Sequence, residues 1–264
     1  MSYLLSVVLL PMLVGSAIAC AALLGPLRHR AAIIECCVAY ALAIAFLISF
    51  VHEVDLTALL RQLPVEVKDD DGPFERWHRL GLVALVLAFA SPILALLTAA
   101  APARRRTIVI AATLLAACGV GALVSFPGAS NGGRALVAAV CALASGAMAM
   151  CGLRTALCVL AVSCTGMAGC ALMTGFPSLA VMCVAVAGTA GTIALLGCVP
   201  RSPRMPSAAG AISVVAGTLA GTAAACGSAY ASGEVPSWSW NVLAVAVPLA
   251  GALLFRRITS FKQP

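Results

Sequence analysis

Stretches of about twenty residues with almost no charge recur along this chain. A run of that length is what a helix needs to cross a hydrocarbon core about 30 Å thick at about 1.5 Å per residue. We place the runs at roughly 3–24, 31–51, 78–99, 107–126, 135–152, 156–173, 179–199, 209–230 and 239–255. A water-soluble fold is excluded, because only 9% of the residues are charged and 62% are hydrophobic, against about 25% charged in soluble domains. In lipid every backbone polar group has to be satisfied within the protein, which leaves helices or a closed barrel. Unbroken apolar runs, as opposed to alternation with period two, select helices. The expected fold is therefore all-α: a polytopic transmembrane helix bundle of about nine spans, forming a single integral membrane domain over residues 1–264.

The connections are mostly short and carry turn residues, as in "GPLRHR", "APARRR", "PGASNGGR", "GFPS", "PRSPRMPS" and "SGEVPS". Only 52–77 is longer. Residues 1–20 offer small residues at "SAIAC", as a signal peptide would, but "MSYLLS" lacks the basic segment a signal needs. They are read as the first span.

Nine spans put the loops alternately on two sides. One side receives Arg28, Arg30, Arg104, Arg105, Arg106, Arg154, Arg201, Arg204, Arg256, Arg257 and Lys262; the other receives Arg61, Lys68, Arg76, Arg79 and Arg134. The positive-inside rule makes the first side cytoplasmic, with the N-terminus outside, the C-terminus cytoplasmic and the protein in the cell inner (plasma) membrane. Eight of the nine acids fall outside on this threading, and Glu35 alone lies near the cytoplasmic face. The count of nine depends on the hairpin at "CGLRT". Burying Arg154 in mid-membrane would cost at least about 2.5 kcal/mol, so a turn is expected there.

The exterior loop 52–77 opens with "HEVDLTALLRQLP", whose leucines at 56, 59, 60 and 63 follow helical spacing and predict a short amphipathic helix on the membrane surface. In "VKDDDGPFERWHRLG", Asp71 can cap a helix, Pro73 suits its first turn and Glu75 favours its dipole. Phe74, Trp77 and Arg79 are expected to anchor that end at the interface, as are Trp238 and Trp240 at the start of the last span. The "DDDG" run does not make a calcium loop: with Gly72 as the turn glycine, Val67 and His78 would occupy the terminal ligand positions.

Ionisable residues within spans are the usual mark of a transporter or pump. Glu35, one turn into the second span, is the candidate, either as a structural anchor at a helix N-terminus or as a proton or cation site. No G-x-S-x-G with a membrane histidine, no pair of aspartates within spans and no H-E-x-x-H occurs. All twelve cysteines lie in or at the ends of apolar runs, without C-x-x-C spacing, and read as packing residues. The adjacent Cys36 and Cys37 are the one pair suited to redox or acylation chemistry. Glycine is read as packing too. "VAGTAGT" at 186–192 is echoed by "VAGTLAGT" at 215–222, so Gly188, Gly191, Gly217 and Gly221 are expected to let helices approach closely. Pro11, Pro92 and Pro248 interrupt spans one, three and nine.

The segments "PVEVKDDDGPFERWHRLGLVALVLA" and "VPSWSWNVLAVAVPLAGALLF" resemble uncharacterised multi-pass membrane proteins of planctomycete bacteria. The resemblance covers about a fifth of the chain and implies a bacterial source; it carries no activity and no catalytic residue.

Three functional readings follow. The first is a non-catalytic structural or accessory subunit, with the lipid bilayer and a membrane-protein partner or a second copy as its contacts. The alternative is a transporter or permease for a small neutral or apolar solute. The third is a membrane enzyme working from the exterior loop through Asp69, Asp70 and Asp71. No cofactor, metal or nucleic-acid partner is expected.

Overall fold

The structure, a computed structural model, describes residues 5–24, 31–52, 54, 76–123, 130–198, 210–230 and 235–260. The expected surface helix, Asp71 and Phe74 lie outside the described residues. A π-helical turn, Leu5–Leu9, leads into α1 (Leu10–Leu24), followed by α2 (Ala31–Val51), α3 (Arg79–Ala100), α4 (Arg105–Leu123), α5 (Asn131–Ala149), α6 (Leu153–Met173), α7 (Pro177–Leu196) and α8 (Gly210–Tyr230). The last span runs through α9 (Ser237–Asn241), a second π-helical turn (Val242–Ala246) and α10 (Val247–Ser260). Among the described residues nine helices are long and apolar enough to cross a membrane.

Short caps divide the helices. Ser130 accepts a hydrogen bond from the Gly133 N–H at 3.2 Å and starts α5. Between α6 and α7, Gly175 takes φ 73°, a conformation costly for residues with a Cβ. Its N–H donates to the Leu172 carbonyl at 3.3 Å and the Phe176 N–H to Ala171 at 2.8 Å, so the chain reverses in a few residues. At "CGLRT" the chain turns over Met150–Gly152 and Arg154 is exposed in the first turn of α6, which makes this region two spans.

Each interrupting proline removes one helical hydrogen bond, and the fold answers in two ways. Pro11 and Pro248 follow the π-helical turns Leu5–Leu9 and Val242–Ala246, where the wider turn accommodates the missing donor. At Pro92 the orphaned carbonyl is that of Ala88, and the Ser91 hydroxyl donates to it at 3.2 Å.

Helix α8 is the hub. Its hydrophobic window is 100% buried, compared with 22% for spans four and nine. It packs on α2, α3, α4, α5 and α6. That placement explains its composition: a helix that meets only protein needs small, closely fitting side chains more than it needs oiliness, and "GAISVVAGTLAGTAAACGSAY" is built of them.

Candidate functional site

The two ends of the bundle are built differently. At one end the N-termini of α2, α4 and α8 meet around Glu35, which is 3% exposed. Arg105, the first residue of α4, donates through Nη2 to Glu35 Oε1 at 2.5 Å. The backbone N–H of Gly210, the first residue of α8, donates to the same carboxylate. A Cβ on Gly210 would stand 2.8 Å from Arg105 Nη2 and 2.9 Å from Glu35 Oε1, so its missing side chain makes the room. One carboxylate thus faces an arginine and the positive ends of helix dipoles. Chemically the arrangement is a closed ion pair. Among the described residues Glu35 is the single acid.

At the other end the contacts are aromatic. Trp77 meets Phe50 edge-on at a centroid distance of 6.0 Å and Phe176 at 5.5 Å, and Phe176 lies 5.6 Å from Tyr230. These residues come from the end of α2, the turn before α3, the turn before α7 and the end of α8, so four elements are joined by ring edges. Phe50 packs where Gly81 has no side chain, since a Cβ there would lie 2.1 Å from the ring. Arg79 donates through Nη1 to the carbonyl of Leu123, the last residue of α4, at 3.0 Å.

The expected interfacial anchors therefore separate. Trp238 is 64% exposed, as an outward-facing anchor requires. Trp240 is fully buried, because its indole lies over Gly227, where a Cβ would come within 2.3 Å of the ring. Trp77 is 7% exposed and engaged within the aromatic cluster.

Of the four packing glycines, Gly217 and Gly221 lie directly against the α5 backbone. A Cβ on Gly217 would fall 2.3 Å from Ser145 Cα and N, and one on Gly221 2.7 Å from Cys141 Cα. At Gly188 the three atoms nearest to a Cβ all belong to the flexible Met12 side chain, and at Gly191 the nearest neighbour is Ala161 Cβ at 4.0 Å. Polar atoms follow the α5–α8 seam: Thr222 Oγ1 donates to the Thr218 carbonyl at 2.6 Å, and Cys141 Sγ lies 3.9 Å from the same oxygen. Cys36 and Cys37 are partly buried free thiols.

An apolar groove of about 350 Å³ runs between α3 and α4 with α8 as its floor. Its rim includes the exposed side chains Val86, Ile93, Leu97 and Leu115.

Sequence reasoning located Glu35 but missed its partner. The signal was present: the threading puts Glu35 and the "RRR" run at the same end, and a lone acid one turn inside a span needs a cation within reach. The groove had no signal, because its walls are ordinary apolar residues of the spans.

No protein family, no curated protein and no solved structure matches the chain.

Proposed function

We propose that the chain is a non-catalytic structural or accessory subunit of the plasma membrane, with its arginine-rich end in the cytoplasm, and that it acts by packing against a membrane-protein partner or a second copy. The observation that carries this reading is the engagement of Glu35 by Arg105 and by the Gly210 N–H. A carboxylate used for proton or cation passage has to exchange partners with water or solute, and this one joins three helices.

Two measurements test it. Purification in mild detergent is expected to bring down a stoichiometric partner or a homo-oligomer; a lone monomer counts against the proposal. Arg105→Met is expected to cost about 3 kcal/mol, because it strands a buried charge, while the double variant Glu35→Leu/Arg105→Met recovers most of that loss.

The second reading is a carrier for a small neutral solute, favoured by the two proline-linked π-helical turns, since such turns concentrate at functional sites. Solute or proton flux in liposomes that disappears in Glu35→Gln would establish the carrier and displace the subunit.

A further inference from the structure

We propose that the groove between α3 and α4 holds one acyl chain of an anionic phospholipid whose phosphate rests against Arg104. The shape comes first. The groove is lined on α3 from Val83 to Leu97, a length of about 21 Å at 1.5 Å per residue, and is narrow enough to enclose only about 350 Å³. Those are the proportions of a chain and not of a compact solute. Exposed apolar residues form its rim, so whatever enters comes from the bilayer and not from water. Gly119 in the α4 wall meets nothing within 4 Å of where a Cβ would stand, so the space beside it is open.

The charge supplies the headgroup. At the end of the groove marked by Leu94 and Leu97, α4 is entered through the turn Pro102–Arg104 and begins at Arg105. Arg105 is committed to Glu35, whereas Arg104 and Arg106 are exposed. Arg104 precedes Leu115 by about three helical turns, which puts it close to the groove face of α4, whereas Arg106 falls on the opposite side of the helix. A lipid with one phosphate and a long chain satisfies both halves; free phosphate leaves the groove unfilled, and a zwitterionic lipid meets Arg104 with no net charge.

The test uses the purified full chain in detergent and counts retained lipid by native mass spectrometry. The added lipids are dioleoylphosphatidylglycerol, dioleoylphosphatidylcholine and short-chain dihexanoylphosphatidylglycerol. The wild type is expected to retain the long-chain anionic lipid about fivefold better than the zwitterionic one, the effect of one arginine, and to retain the short-chain lipid poorly. Arg104→Gln is expected to abolish the headgroup preference, and Gly119→Phe to remove retention by filling the groove. Equal retention of the two dioleoyl lipids by the wild type overturns the proposal, as does equal retention of the long- and short-chain anionic lipids. Retention unchanged in Gly119→Phe would put the lipid elsewhere and overturn it as well. The wild-type comparisons decide the matter alone should a variant fail to fold.

Discussion

Two nearly identical strings, "VAGTAGT" in α7 and "VAGTLAGT" in α8, do different work. In α8 the glycines lie against the backbone of α5, with Ser145 and Cys141 as the atoms in the way. In α7 the neighbours are the end of a methionine side chain and a methyl group at 4.0 Å. The hydrophobic window of α8 is 100% buried and that of α7 61%. A small-residue motif therefore supplies permission for close approach, and the place of its helix in the bundle decides whether the permission is used.

Substituting alanine along both strings grades that contrast, with stability read from detergent-induced unfolding of the purified protein. Gly217→Ala is expected to cost most, about 3 kcal/mol, because the new methyl meets main chain that cannot step aside without moving α5. Gly221→Ala follows at about 2 kcal/mol, since the nearest main-chain atom, Cys141 Cα, is 2.7 Å from the new methyl, against 2.3 Å for Ser145 Cα at Gly217. Gly188→Ala is expected to stay below about 1 kcal/mol, as Met12 changes rotamer. Gly191→Ala is expected to be neutral or to stabilise by about 0.4 kcal/mol, through the smaller freedom of the unfolded chain. Equal losses at Gly188 and Gly217 would erase the distinction between the two helices; a loss at Gly191 would indicate a contact made with another subunit.

The spans themselves were legible because apolar length is a local property. The segment 31–51 agrees with α2 at both ends, and Arg154 identified the α5–α6 hairpin. Boundaries shifted where a helix extends past its apolar run: the fourth was expected from 107, but the helical residues begin at Pro102 and include the arginines. What the letters did not carry was which neighbour each span meets. Trp240 reads as an interface residue on its own and is drawn inside by Gly227, more than ten residues earlier and on another helix. Likewise Glu35 is intelligible only with Arg105 beside it. Hydropathy does not report a span's neighbours either: α5 and α8 share the lowest value of the nine, 1.5, yet α8 is fully buried along its apolar stretch and α5 only 33%. Labelling a single cysteine placed at the exposed position 104 of a cysteine-free variant, from either side of the membrane, reads directly which end of the bundle meets the cytoplasm.

The hub position of α8 also has a consequence for biosynthesis. A ribosome delivers residues 210–230 after seven other spans have left the tunnel, so the early helices wait in the bilayer around a centre that does not yet exist. Assembly then has to finish late, by admitting a slender, weakly hydrophobic newcomer between helices made before it.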